Sequence, residues 1–321
     1  MTVSLCPYPW TNDYDWSSGR RGIRRISTPQ RVREGQVINF RHSIYQARRW
    51  AILAVFPAAL AVFGRRAAAL AVRSGYWKDR RYLAKRMLYP GLDLHTRSRY
   101  RYLERWIVGG PAETLDAGSG NGALCLIAVR KGSHVLGVTL SQRDVRETRA
   151  FFRYLGVGED QAEFHELNIY DLRSLDRTFD RIICTETLEH LTHDGEVVTM
   201  FSDLLRPGGH LILSGPYALH PSHALGRTHE PEDGGHVRDG YTKESFQNIL
   251  VRSGLEPVAW MGLGSPLLCR LDEFLVAARR RFGDVLCIPI FLAMWPLTLL
   301  DRPDPAVPFS LAVLAKKPDG D

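Results

Sequence analysis

From residue 112 onward, short apolar runs alternate with longer stretches in which apolar residues recur every three or four positions. This alternation predicts β-α-β units and therefore a mostly parallel sheet in an α/β fold. Predicted strands cover residues 113–117, 134–138, 162–167, 179–184 and 210–214, and predicted helices cover residues 122–130, 143–155, 196–205 and 243–252. Ser141 followed by Asp144 is typical of a capped start to the second of these helices.

Two apolar segments depart from this pattern. Residues 50–63 are 14 uncharged residues followed by Arg65, Arg66 and a second apolar run over 67–72, and residues 285–300 are 16 uncharged residues that include Pro289 and Pro296. A membrane-spanning helix needs about 20 apolar residues, so a true span is disfavoured. Burial against the sheet domain and contact with a membrane interface both remain open for each segment.

Composition narrows the class of protein. A chain with 45% hydrophobic and 24% charged residues is neither disordered, collagenous nor a polytopic membrane protein. The formal net charge of +7 is uneven, because residues 1–110 hold 21 Lys and Arg against 6 Asp and Glu, whereas residues 111–321 hold 21 against 29. The basic N-terminal third predicts an anionic partner, either nucleic acid or an anionic membrane surface.

The five cysteines are scattered and include no C-x-x-C pair, so we expect neither a disulfide framework nor a zinc ribbon. The first residues lack the basic start and apolar run of a secretory signal. Both observations favour a cytoplasmic location.

The strongest chemical signal is the string LDAGSGNG, residues 115–122, between the first predicted strand and the first predicted helix. Glycines at this turn let a ligand approach main-chain N–H groups at a helix N-terminus. Asp116 adds a carboxylate, which suits a cationic ligand better than the phosphates of a dinucleotide.

Asp116, Gly118, Gly120 and Gly122 match the acidic residue and G-x-G-x-G motif of class I S-adenosylmethionine-dependent methyltransferases, which the sequence resembles over about residues 115–261. The strings FDRIICTETLEHL (179–191) and LLRPGGHLIL (204–213) look like the fourth and fifth strand regions of that family. The resemblance implies S-adenosylmethionine as cofactor and a Rossmann-like, doubly wound, mostly parallel seven-stranded sheet with helices on both faces.

The same resemblance implies the domain organisation. A methyltransferase domain would cover residues 90–321, with its last strand at residues 308–315 and an acceptor-side or membrane-contacting insertion at 263–307. Residues 1–89 would form a basic N-terminal helical segment with an apolar membrane-interface or packing helix.

The family also implies the cofactor contacts. Thr139 replaces the carboxylate that usually follows the second strand, and its string GVTLSQ (137–142) is similar to cyclopropane-fatty-acid synthases and other lipid C-methyltransferases. The implied cofactor-binding residues are Asp116, Gly118, Ser119, Gly120, Gly122, Thr139, Leu140, Gln142, Asn168, Ile169 and Thr185.

Candidate catalytic residues follow the fourth and fifth strands. His190 is the first choice for a general base, because imidazole titrates near neutral pH, with Glu189 beside it and His236 in the later loop as further candidates. That loop also carries His220, His223, His229, Glu230, Glu232 and Asp233, but their spacing matches no compact tetrahedral metal site, and we expect no metal.

The sequence also bears on the identity of the methyl acceptor. Adenine methyltransferases carry an N/D-P-P-Y/F motif after the fourth strand, where this chain reads CTET (184–187), so nucleic acid is not the expected substrate. We predict a small-molecule, apolar or lipid-linked acceptor, methylated by a protein peripheral to an anionic membrane on its inner face. A glycan or glycolipid hydroxyl, nucleic acid, and a non-catalytic binding role remain the alternatives.

Overall fold

The structure is a computed structural model of the chain, and it describes residues 88–223, 232, 234–284 and 286–320. The N-terminal helical segment predicted within residues 1–89, including the apolar runs 50–63 and 67–72, lies almost entirely outside the described residues. His229, Glu230 and Asp233 of the predicted polar loop also lie outside them.

Strands and helices alternate along most of the described chain. The elements are α1 (Leu94–Leu103), β1 (Glu113–Ala117), α2 (Ala123–Arg130), β2 (His134–Thr139), α3 (Gln142–Tyr154), β3 (Ala162–Glu166), β4 (Phe179–Thr185), α4 (Asp194–Leu204), β5 (Leu205–Pro216), α5 (Lys243–Arg252), β6 (Glu256–Leu263), α6 (Pro266–Phe282), α7 (Ile288–Met294) and β7 (Ser310–Lys316). Short 3₁₀ helices cover Glu104–Trp106, Ile169–Leu175, Leu188–His190 and Trp295–Leu300.

The seven strands form one sheet in the order β3-β2-β1-β4-β5-β7-β6. Every neighbouring pair is parallel except those of β7, which runs antiparallel to both β5 and β6. The strand order reverses between β1 and β4, where open α/β sheets place their ligand crevice. This topology confirms the predicted Rossmann-like, mostly parallel seven-stranded fold.

The central strands form the core. Ile182 and Ile183 of β4 and Leu211 and Leu213 of β5 are fully buried. Such continuous apolar runs are typical of strands that are covered on both faces, which explains why the sequence pattern found both strands.

Helix starts follow local capping signals. The Ser141 side chain accepts a hydrogen bond from Asp144 N, as predicted, and Thr242 and Ser245 form a capping box at the start of α5. The helix predicted from residue 122 instead begins at Ala123, because Gly122 adopts a left-handed conformation with φ 76° as the N-cap.

The described residues divide into two compact units. The sheet unit comprises residues 93–272 and 297–320, and it contains all seven strands. The smaller unit comprises residues 88–92, 273–284 and 286–296, where Ile288, Phe291 and Met294 of α7 are buried.

The described part of the apolar segment, residues 286–300, is therefore neither wholly buried nor wholly exposed. In the sheet unit, its last turn exposes Leu297, Leu299 and Leu300. Among the described residues, no helix combines the length and the apolar character that crossing a bilayer requires.

Candidate active site

The turn after β1 is shaped by three glycines that all adopt positive φ angles. Gly118, Gly120 and Gly122 have φ values of 87°, 50° and 76°, and the amides of Gly118 and Ser119 donate to Val138 O at 3.0 and 2.9 Å, which fastens the turn to β2. A Cβ on Gly118 would overlap the Thr187 side chain, whereas a Cβ on Gly120 would meet no atom within 4 Å. The turn is thus closely packed at Gly118 and open at Gly120.

Asp116 lies buried at the base of this turn. Burial raises the pKa of its carboxyl group to about 6, an effect that a hydrogen bond from the Cys125 thiol partly opposes. The sulfur and Oδ2 are 3.1 Å apart. The buried Ser119 hydroxyl has no hydrogen-bond partner among the described residues. A ligand that carries a positive charge and hydrogen-bonding groups, such as S-adenosylmethionine, fits these residues.

The predicted ribose contacts lie at the end of β2. Thr139 is the last residue of that strand, and its carbonyl accepts a hydrogen bond from Leu167 N. Leu140 is exposed just beyond it. Gln142 opens α3, where its side chain accepts a hydrogen bond from Arg146 one turn later. Because β1 and β2 are parallel neighbours, these residues share one sheet edge with the glycine turn.

The remaining predicted cofactor contacts follow β3 and end β4. Asn168 is exposed and is the N-cap of the 3₁₀ helix Ile169–Leu175, where its side chain accepts a hydrogen bond from Tyr170 N. Ile169 beside it is buried. Thr185 is the last residue of β4, and its carbonyl accepts from the Thr187 hydroxyl at 3.0 Å. The carboxyl ends of four parallel strands thus contribute every residue of the predicted cofactor site.

The three predicted catalytic residues come together in one group, which we call the polar cluster: Glu189, His190 and His236. One ligand atom from each lies within 4.8 Å of the others. Glu189 and His190 belong to the 3₁₀ helix after β4, and the His190 and His236 rings meet edge to face at 4.7 Å. Sequence spacing alone could not show this, because His236 follows a different strand.

Two hydrogen bonds to backbone carbonyls hold the polar cluster together. Val237 N donates to Glu189 O at 2.8 Å, and His190 Nδ1 lies 2.9 Å from Gly235 O. The loop segment around His236 is therefore attached directly to the 3₁₀ helix that carries the other two residues.

Burial shifts the pKa values of two residues in the polar cluster. Glu189 is only 1% exposed, and burial together with the nearby Glu186 carboxylate raises its pKa well above the usual range. Burial and the neighbouring His190 lower the pKa of His236 to about 4, so its ring is neutral at pH 7.

The other described residues of the polar loop, His220, His223 and Glu232, have other contacts. His220 and His223 pack around the Phe309 ring, with centroids at 5.2 and 4.5 Å. Glu232 accepts hydrogen bonds from the Tyr170 hydroxyl and from Thr192 N. These residues therefore do not gather into a single site with His236.

The sequence did not predict an ion pair that lies at the same sheet edge. Glu186 follows β4 with φ 49°, unusual for a residue with a side chain, and forms an ion pair with Arg99 of α1 at 3.1 Å. Its carboxylate also accepts hydrogen bonds from Ser214 and Ser310, at 2.9 and 3.3 Å. The only indication of this pair in the sequence is that Glu186 lies three residues before Glu189.

A family model described as a methyltransferase domain matches residues 77–259. Among curated relatives, the ubiquinone biosynthesis O-methyltransferase of Xylella fastidiosa (strain 9a5c) is 30% identical over 128 residues, 39% of this chain and 51% of the relative. Methyltransferase GfsG of Streptomyces halstedii is 29% identical over 144 residues, 44% of this chain and 50% of the relative. The chain thus spans about half the length of these relatives.

Solved structures share the fold. The [4+2]-cyclase SpnF superposes with a TM-score of 0.51 and 18% identity, covering 70% of this chain and 81% of its own. A protein described as a putative sarcosine dimethylglycine methyltransferase from Galdieria sulphuraria gives a TM-score of 0.50 and 14% identity, covering 71% and 85%. At these identities the likeness concerns the fold alone.

Proposed function

Because the chain belongs to the methyltransferase-domain family, we propose that it transfers the methyl group of S-adenosylmethionine to a hydroxyl group of a small apolar or lipid-linked acceptor. One observation carries the cofactor part of this proposal. The Asp116 carboxylate is buried at the end of β1, where Cys125 donates hydrogen bonds to it, and an added Cβ on Gly120 would meet no atom within 4 Å. The polar cluster lies at the same sheet edge.

Within this proposal, the chain's own residues bind and orient the reactants. S-adenosylmethionine supplies an electrophilic methyl group on a sulfonium centre. Asp116 and the backbone of the glycine turn bind its cationic end, while Thr139, Leu140 and Gln142 lie on the side assigned to the ribose. Asn168, Ile169 and Thr185 complete the proposed adenosine pocket. Holding the methyl group in line with the acceptor supplies most of the rate gain in such a displacement.

The polar cluster is assigned to the acceptor. His190 Nδ1 bonds to a carbonyl oxygen, so it carries the proton, and the lone pair is on Nε2. His190 is therefore our first choice for the group that takes the acceptor's proton. Glu189 and His236 flank it and would orient the hydroxyl.

Support for an oxygen acceptor and for an apolar one comes from different observations. The relative from Xylella fastidiosa is named an O-methyltransferase of ubiquinone biosynthesis, which supports a hydroxyl acceptor. In the sheet unit, Leu299 and Leu300 are 70% and 65% exposed, and Arg302 follows them closely. An apolar turn beside a basic residue is typical of a surface that meets an anionic membrane.

The test uses purified protein, methyl-labelled S-adenosylmethionine and a lysate of the native host, followed by partition between organic and aqueous phases. Enzyme-dependent label in the organic phase is the expected result. Label confined to the aqueous phase would replace the apolar acceptor with a polar one, such as a glycan. Absence of transfer together with absence of cofactor binding would refute the methyltransferase proposal itself.

A further inference from the structure

The polar cluster has the composition of a metal-binding site. Its two imidazoles and one carboxylate offer ligand atoms that all lie within 4.8 Å of one another. Ligand atoms around a tetrahedral zinc ion are about 3.3 Å apart, given metal–ligand distances near 2.0 Å. Small side-chain rotations would therefore bring the three atoms into coordination distance of a common ion.

One carboxylate oxygen of Glu189 is buried and unpaired among the described residues, although Arg99 and Arg238 lie near enough to lower the pKa of the group. The residue is 1% exposed, and its Oε2 atom is buried without a hydrogen-bond partner there. His190 Nε2 is 3.9 Å from Oε1, which is too far for a hydrogen bond. A buried oxygen left without a partner is costly, and buried carboxylates are normally paired or bound to a metal.

The histidine is already oriented as a metal ligand. His190 Nδ1 lies 2.9 Å from Gly235 O, so its N–H donates to that carbonyl and the Nε2 lone pair is left facing the cluster. Metal-binding histidines usually have their second ring nitrogen fixed by a carbonyl or carboxylate in this way. The bond from Val237 N to Glu189 O ties the backbone beside His236 to the 3₁₀ helix that contains His190, and the centroid of the His236 ring lies 4.7 Å from that of His190.

We propose that Glu189, His190 and His236 bind a divalent transition-metal ion of the zinc or iron class. Two imidazoles and one carboxylate suit these ions better than magnesium, which prefers oxygen ligands, and three protein ligands leave a position open for an acceptor oxygen. The ion's binding is independent of the proposed function, whereas its catalytic role rests on it.

That role is to make the acceptor oxygen a better nucleophile. A bound divalent ion lowers the pKa of a hydroxyl that contacts it, so the proton passes to solvent. The oxygen then attacks the methyl carbon, the O–C bond forms, the C–S bond breaks, and its electron pair stays on sulfur. When the ion is bound, His190 is one of its ligands, and the acceptor's proton passes to solvent and not to His190.

The first experiment measures metal binding alone. The full chain, freed of metal with a chelator, is dialysed against zinc and analysed for bound metal, and cobalt is then added to follow its visible absorption bands. We expect one ion per chain and cobalt bands that indicate nitrogen and oxygen ligands. Wild-type protein that binds no ion, or binds it without these bands, would overturn the proposal.

Single-residue variants test which side chains bind the ion. We expect Glu189→Gln and His236→Asn to weaken zinc binding by at least roughly 10-fold, and His220→Asn and His223→Asn, beside Phe309, to leave it unchanged. Two substitutions at different ligands guard against one that fails to fold, which thermal melting would reveal. Equal losses in all four variants would contradict the assignment.

Measuring methyl transfer beside zinc binding distinguishes a failure of the metal site from a failure of the proposed function. Zinc binding in a chain that transfers no methyl group would support the site and count against the function. Full methyl transfer by protein shown to be metal-free would overturn the ion's role.

Discussion

Among single residues, Gly120 offers the sharpest test of where the cofactor binds. Its φ of 50° suits glycine, yet an added Cβ would meet no protein atom within 4 Å. We expect Gly120→Ala to cost roughly 1 kcal/mol of stability from its backbone angle, and to weaken S-adenosylmethionine binding at least tenfold by filling the space above the turn. Isothermal titration calorimetry measures the binding.

A matched control exists outside the turn. Gly156 has φ 80° and also has no atom within 4 Å of an added Cβ. Gly156→Ala should lose similar stability but keep its affinity for S-adenosylmethionine. Unchanged binding by Gly120→Ala would show that the cofactor does not approach this part of the turn.

Asp116 should make the ligand-free protein less stable as pH rises. Burial raises its pKa from 3.8 to about 6, so the folded state holds this proton more tightly than the unfolded state. The resulting stability is present below pH 4 and is lost as pH rises to 6 and above. Asp116→Asn removes the charge, and we expect it to stabilise the ligand-free protein at pH 8 by about 1–3 kcal/mol.

Thermal melts of both proteins at pH 5 and pH 8 measure this effect. The advantage of the variant should shrink at pH 5. The same variant should bind S-adenosylmethionine more weakly, because the amide lacks the negative charge that pairs with the cofactor's cationic end. A variant less stable than wild type at pH 8 would contradict the inferred cost of burying this carboxylate.

At the scale of elements, the residues just before α5 are held against the start of α4. Arg238 forms an ion pair with Asp194 and donates to the carbonyls of Leu191 and Thr192, and the Tyr241 hydroxyl donates to Asp194 at 2.8 Å. Asp194 is buried. This network fixes the loop that carries His236.

Arg238→Met should therefore loosen that loop. It leaves a buried carboxylate with one donor fewer, which costs about 2–4 kcal/mol, and the Val237 amide should exchange its hydrogen faster. Hydrogen-exchange mass spectrometry provides the readout. Arg206→Met breaks an exposed ion pair with Asp180 and should cost less than about 1 kcal/mol. Equal effects of the two variants would argue against a holding role for Arg238.

Element prediction from the sequence succeeded where apolar runs were buried on both faces. The predicted fifth strand, residues 210–214, is shorter than β5, which extends over Leu205–Pro216. Pro207 and Gly208 have the sequence of a turn, yet Leu205 before them already pairs with Phe179 of β4. The prediction placed no strand at β6, an edge strand that contains Pro257 and in which only the last three residues are buried. Edge strands lack the continuous apolar signal of central ones.

At the scale of the whole molecule, the site depends on contacts between distant parts of the chain. The glycine turn was predictable because its residues are adjacent in sequence. The Arg99–Glu186 pair was not, because it joins a helix before the sheet to the end of β4. Only the fold brings them together, and the same holds for His236 beside His190.

The charge distribution leads to a final prediction about the N-terminal third. Residues 1–110 carry 21 Lys and Arg against 6 Asp and Glu, and each basic residue near an anionic membrane contributes about 1 kcal/mol to binding. We expect deletion of residues 1–75 to move the protein from the membrane fraction to the soluble fraction while S-adenosylmethionine binding persists, because the residues assigned to the cofactor all lie after residue 115.

Vesicle sedimentation identifies the cause of this shift. The full chain should bind vesicles rich in anionic lipid, release them at high salt, and bind neutral vesicles weakly. Replacing Leu299 and Leu300 with serine tests the apolar contribution separately, because that change leaves the charge intact. If the deletion leaves fractionation unchanged while the leucine replacements abolish vesicle binding, the exposed turn before β7, and not the basic segment, holds the protein at the membrane.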